Sequence, residues 1–124
     1  MRCQEAALGL IQRDDGWFLQ RRALDASILP GRWEFPGGKV EPGENPEAGL
    51  LRELAEEVRW RPEVWRALPV LEAGGIRLHP FLCCGSGVPS TALAWGWFTL
   101  EEASRLPLPA PNHGLLARLA EGPC

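Results

Sequence analysis

The chain has 124 residues, 45% of them hydrophobic, and a formal net charge of −3. That size fits a single domain, residues 1–124, with a real core, and the acidic balance argues against binding nucleic-acid polymers, whose affinity needs concentrated cationic surface. No run of about 20 apolar residues and no signal-peptide core is present, so the expected location is cytoplasmic, away from any membrane.

In chain order, Cys3 to Gln12 and Trp17 to Arg22 read as strands around the turn signal Arg13, Asp14, Asp15, Gly16, which predicts a hairpin. Ala23 to Arg32 contains Pro30 and Gly31 and reads as a loop. Trp33 to Phe35 reads as a short strand delivering a glycine turn. Asn45 then caps a helix with Pro46 at its first position. Glu63 to Leu71 and Ile76 to Cys84 read as strands around Ala73, Gly74 and Gly75, and Thr91 to Thr99 as another. Leu100 to Leu106 reads as a short helix. Pro107 to Pro111 interrupts it, and Asn112 to Ala120 regains helical spacing. Cys3, Cys83, Cys84 and Cys124 have no metal-ligand spacing and are expected to be reduced thiols.

The most informative segment is the helix after Asn45. Glu53, Glu56 and Glu57 fall within one arc at about 100° per residue, and Ala48, Leu51, Leu54, Ala55 and Val58 fill the opposite arc. Carboxylates stacked at these spacings repel by about 3 kcal/mol per pair at ~5 Å and an effective dielectric of ~20. A solvated helix face is one explanation, and a bound cation is the other. The second gains from Glu44, eight residues before Arg52, and from Gly37, Gly38 and Gly43, which allow close approach to a ligand. Oxygen ligands without a supporting His or Cys suit Mg²⁺, with Mn²⁺ as substitute, and disfavour Zn²⁺.

With these residues in place, the segment resembles the Nudix box, G-x5-E-x7-R-E-U-x-E-E-x-G-U, where U is bulky and aliphatic. Gly38, Glu44, Arg52, Glu53, Leu54, Glu56 and Glu57 match in register. Arg59 stands where the box has its terminal glycine, and Trp60 replaces the last aliphatic residue. Arg59 therefore either takes a strained conformation or ends the helix differently. Gly49 is a second oddity, weakening the helix by about 1 kcal/mol relative to alanine. The flanking WEFPGGKV, Trp33 to Val40, looks like the entry segment of MutT-type nucleotide diphosphatases, with Arg21 and Arg22 before it at similar spacing. The resemblance implies an α/β/α sandwich of the α+β type, with a mixed β-sheet between helices.

The resemblance also implies roles. Glu53, Glu56 and Glu57 would bind metal, with the Gly37 or Gly38 carbonyl as a further ligand. Arg52 would orient a carboxylate through its planar fork. Glu44 would either join the site or stabilise its loop. Lys39 and Arg22 are candidates for neutralising phosphates, with Arg21 able to replace Arg22. Phe35 could contact the base or belong to the core. Asn112 matches a residue that reads an oxidised guanine, and it is equally suited to capping the last helix. Where some relatives carry a glutamate general base, this chain has Gly96. The base is then Glu53, another residue, or metal-bound hydroxide.

The implied enzyme is a Mg²⁺-dependent diphosphatase that converts a nucleoside triphosphate to the monophosphate and pyrophosphate, with 8-oxo-dGTP as leading substrate and a role in cleansing the nucleotide pool. CTP or dCTP is the close alternative. A noncatalytic nucleotide-binding or lesion-binding module is the distant one, disfavoured because such modules lack the box carboxylates. The expected partner is a small nucleotide, and the expected state a monomer, with a dimer as the alternative.

Overall fold

The computed structural model describes residues 4–27 and 29–107, so the helix expected over Asn112 to Ala120 lies outside the described residues. The elements are β1 (Gln4–Arg13), β2 (Gly16–Arg21), β3 (Trp33–Glu34), β4 (Gly37–Lys39), α1 (Pro46–Val58), β5 (Val64–Ala67), β6 (Leu71–Ala73), β7 (Ile76–Cys84), β8 (Trp95–Phe98) and α2 (Leu100–Ser104).

β1 organises a mixed sheet. It runs parallel to β7, pairing Ala6 with Leu78 and Ile11 with Cys83. On its other side it is antiparallel to both β4 and β2, so these two strands follow one another along the same edge. β2 extends the sheet to β3 and β8, and β7 extends it to β5 and β6. Because side chains alternate along a strand, β1 feeds two cores. Ala7 and Ile11 join Phe18, Phe81, Cys83 and the α1 residues Leu50, Leu54 and Val58. Leu8 and Leu10 pack on the other face with Trp17, Leu19, Phe35, Leu82 and, from α2, Leu100 and Ala103. The two described helices therefore cover opposite faces of the sheet, as the predicted layering requires.

Three elements depart from the sequence-based expectation. Gly37, Gly38 and Lys39 form a strand instead of a turn, because Ala6, Ala7 and Leu8 of β1 supply pairing partners that local composition does not reveal. The strand expected over Glu63 to Leu71 is split around Leu68, Pro69 and Val70, since proline has no N–H to continue a ladder. β8 is shorter than Thr91 to Thr99.

The rotation of α1 matters most for function. Its buried residues are Gly49, Leu50, Leu54 and Val58, whereas Ala48 and Ala55, expected to face inward, are exposed. At about 100° per residue this turns the helix by roughly 60° toward its acidic side. The carboxylates at the border of the buried stripe are thereby carried against the sheet. At the C-terminal end, Arg59 adopts the left-handed conformation (φ 49°, ψ 45°), and its backbone N–H donates to the Leu54 carbonyl, so the chain takes the strained course.

Among the described cysteines, one departs from the expected reduced state and one keeps it. Cys84 is disulfide-bonded, while Cys83 is free and buried, and burial pushes its thiol up to about 12.

Candidate active site

The site forms where α1 crosses the glycine strand β4 and the end of β2. Arg52 is its organiser. Its Nε lies 2.9 Å from Glu44 Oε2 and its Nη2 3.0 Å from Glu44 Oε1, giving the planar two-point contact that carboxylates accept best. Nη1 donates to Glu53 Oε1 at 2.9 Å, and Nη2 also donates to the Lys39 carbonyl at 2.9 Å. One side chain thus joins the loop, the helix and β4. The Glu41 backbone N–H completes the shell of Glu44 at 3.0 Å. These bonds, the Arg52 contact foremost, hold the Glu44 carboxyl down at about 2.

Two glycines set the spacing. A Cβ on Gly38 would overlap the Glu53 carboxylate, so only glycine lets β4 lie directly against it. Gly49 resolves its apparent oddity in the same way. A Cβ there would sit 3.1 Å from Glu44 Oε1 and 3.3 Å from Val40 Cγ2, so the weaker helix residue makes room for the loop that carries Glu44.

Glu57 has a different environment. It borders the buried stripe of α1, where Gln20 of β2 donates to Glu57 Oε1 through Nε2 and the Gly37 backbone amide adds a second bond. Burial, followed by the nearby Glu34 carboxylate and more weakly by Glu53, pushes the Glu57 carboxyl up to about 7 against the effect of those two bonds. Glu34 is also raised, chiefly by burial, although Arg22 Nε donates to its Oε2 at 3.1 Å. Gln20 pairs with Glu34 across β2 and β3, so both side chains leave the same face of the sheet. Glu56 is the open member, its side chain 63% exposed and only loosely approached by Arg52 at 3.5 Å. Glu56 and Glu57 border a cleft of about 410 Å³ with Arg59, Ser90, Thr91 and Ala92.

The other expected residues are distributed unevenly. Arg22 is tied to this network through Glu34, whereas Arg21 donates to the Gly31 carbonyl at 3.1 Å and fastens the loop that follows β2. Lys39 is exposed at the end of β4, and among the described residues its ammonium makes no hydrogen bond or ion pair. Phe35 is 1% exposed and packs in the core on the α2 side. Asn112 lies outside the described residues. Gln20 and Glu34 were not anticipated. The available signal was a carboxamide directly after Trp17, Phe18 and Leu19 in a strand that buries every residue from Gly16 to Gln20.

Among the described residues, no three ligand side chains converge tightly enough to enclose an ion by themselves. The donor set nevertheless fits a hard cation that keeps waters and shares substrate oxygens. Glu34, Glu53 and Glu57 place carboxylates together, and Glu57 is raised by burial first and then by the charges of Glu34 and Glu53. Beside it, the buried Oε1 of Gln20 has no hydrogen-bond partner among the described residues.

Comparison with known proteins shows what the chain is similar to as a whole. The chain is 41% identical over 73 residues to the 8-oxo-dGTP diphosphatase of Escherichia coli strain K12, a stretch covering 58% of this chain and 56% of that protein. It is 33% identical over 81 residues to the nucleoside triphosphatase NudI of Enterobacter sp. strain 638, covering 65% and 57%. These matches span less than three fifths of the curated relatives' own lengths. Its fold superposes on the MutT NUDIX hydrolase of Burkholderia pseudomallei with a TM-score of 0.81 at 26% identity, covering 94% of this chain and 97% of that one. The NUDIX domain pattern matches residues 3–119, and the chain belongs to the NUDIX domain family.

Proposed function

We propose that this protein is a divalent-cation-dependent diphosphatase that hydrolyses nucleoside triphosphates to the monophosphate and pyrophosphate, with 8-oxo-dGTP as its substrate. The observation that carries the reading is the pair of immobilised carboxylates on one helix. Glu53 is fixed by Arg52 and Glu57 by Gln20, both against the glycine strand Gly37–Gly38. The similarity to proteins named 8-oxo-dGTP diphosphatase and nucleoside triphosphatase supports the substrate class.

In this reading Glu53, Glu56, Glu57 and a carbonyl of Gly37 or Gly38 hold Mg²⁺, or Mn²⁺ in its place. Such an ion, when bound, neutralises charge on phosphoryl oxygens. The chain's own residues do the positioning. Arg52 keeps Glu53 oriented, and Arg22 and Lys39 offer cations to the phosphates. The hydrolysis adds one water across the anhydride. Its oxygen bonds to phosphorus, taken by resemblance as the β atom, the bridging bond to the α-phosphate breaks, and the nucleoside monophosphate leaves. With Gly96 in the slot where relatives can carry glutamate, the water's proton would go to Glu53, held in orientation by Arg52, or to another residue. Asn112 would read the base.

Pyrophosphate release assayed with Mg²⁺ on 8-oxo-dGTP, dGTP and dCTP tests this directly. Preference for 8-oxo-dGTP is expected. Preference for dCTP would move the assignment to a pyrimidine nucleotide, and no release from any of the three would refute it.

A further inference from the structure

We infer that Gln20 is a positioning residue of this active site: its carboxamide fixes Glu57 from the interior of the sheet. The inference rests on the reading above, in which Glu57 is a metal carboxylate.

Gln20 is fully buried, at 0% exposure, and does not border the cleft that Glu57 lines. Whatever it does there it does through Glu57. It occupies a strand position among Trp17, Phe18 and Leu19, where an apolar side chain would suit the local pattern. A buried carboxamide is tolerated when its donors and acceptor are satisfied. Here only the donor side has a partner, in Glu57 Oε1, and Oε1 of Gln20 has none among the described residues. The position therefore departs from the rule that buried polar groups are paired. Such departures concentrate where function constrains the residue.

The geometry shows what the departure achieves. With Gln20 and the Gly37 amide donating to it, Glu57 is held by donors from two different strands, β2 and β4. Glu34 lies on the same face through its pairing with Gln20, anchored by Arg22 at 3.1 Å. A carboxamide is neutral and adds a donor beside two carboxylates. A lysine there would compete with the cation, and a third carboxylate would add repulsion.

The test compares the wild-type protein with Q20L and Q20N. Free Mn²⁺ is titrated by electron paramagnetic resonance, alongside thermal unfolding without metal and steady-state kinetics with Mg²⁺. Leucine removes an acceptor that has no partner among the described residues, so Q20L is expected to unfold no earlier than wild type. Its Mn²⁺ dissociation constant is expected to rise about tenfold or more, and kcat to fall by a similar factor, with KM within twofold. A folded Q20L with Mn²⁺ affinity and kcat within twofold of wild type overturns the inference. So does a lower unfolding temperature with Mn²⁺ affinity intact, which marks a merely structural residue. If Q20L does not fold, Q20N decides. It keeps the amide one methylene too short to reach Glu57, and wild-type Mn²⁺ affinity in Q20N overturns the inference equally. Absence of Mn²⁺ binding by the wild-type protein would instead sink the underlying metal assignment.

Discussion

The Arg52 guanidinium closes on Glu44 at two points, Nε on Oε2 at 2.9 Å and Nη2 on Oε1 at 3.0 Å, and thereby fastens the loop before α1 to the helix. Replacing Arg52 with lysine keeps the charge and loses the fork. R52K should lower kcat on the order of 10–100-fold through misorientation of Glu53, with little change in fold. Circular dichroism with steady-state kinetics would check this, and a kcat near wild type would contradict it. The same pair sets an acid limit. Glu44 is held at about 2, below its ordinary 4.5. Its contribution to stability is present above about pH 4.5 and is lost as pH falls toward 2.

Glu57 has the opposite sign. Its carboxyl is raised from 4.5 to about 7, so the folded protein holds a proton that the unfolded chain releases. Stability is then favoured below about pH 4.5 and declines as pH rises from there through about 7. Metal-free protein should lose unfolding temperature across that window, and E57Q should flatten the decline. Mg²⁺ or Mn²⁺ should raise the unfolding temperature more at pH 7.5 than at pH 5. Calorimetry at four pH values would measure all three, and an equal shift by metal at pH 5 and 7.5 would contradict the assignment.

Arg59 occupies a left-handed conformation that glycine adopts freely and other L-residues adopt at a cost of about 1 kcal/mol or more. R59G should therefore be more stable by about 1 kcal/mol, or roughly 3–5 °C in unfolding temperature. Denaturant titration provides the measurement. Destabilisation would mean that the Arg59 side chain, which borders the cleft, supplies compensating contacts.

Gly38 is the point of closest approach between β4 and Glu53. G38A must displace either the strand or the carboxylate, so it should reduce activity on the order of 10²-fold, as misplacement of a catalytic group by about 1 Å does. G49A provides the contrast. Alanine gains about 1 kcal/mol in helix propensity but crowds Glu44 Oε1 at 3.1 Å, so stability should change little while kcat falls. A fully active G38A would show that this contact is dispensable.

Under the proposed function, Asn112 reads the base. N112A should lose preference for 8-oxo-dGTP over dGTP while retaining hydrolysis, because its amide offers both a donor and an acceptor to a purine edge. Competition kinetics on the two nucleotides would check this, and an unchanged preference with a lower unfolding temperature would assign Asn112 to helix capping.

Much of the fold was legible because its signals are local. Asn45 accepts from the Ala48 N–H at 2.7 Å with Pro46 as the first helical residue, as the cap pattern required. Gly74 and Gly75, both at positive φ, turn the chain between β6 and β7 where the sequence placed a turn. β4 was not legible, since its strand character comes from β1 and its composition resembles a turn. The inward face of α1 was misjudged because Ala48, Leu51 and Ala55 satisfy the same period as the true stripe. The sheet opposite decides which apolar arc is buried.

By itself the sequence determined the spacing of Glu44, Arg52, Glu53, Glu56 and Glu57, and with it the family, because a helix converts intervals of one, three and four residues into a shared face. Tertiary structure alone decided that these carboxylates differ. Pairing of β2 with β3 sets Gln20 beside Glu34, and the rotation of α1 presses Glu57 against Gln20 while leaving Glu56 in solvent. Burial and the charge of neighbours remote in sequence fix what each carboxylate can do, and neither is written in the interval between residues.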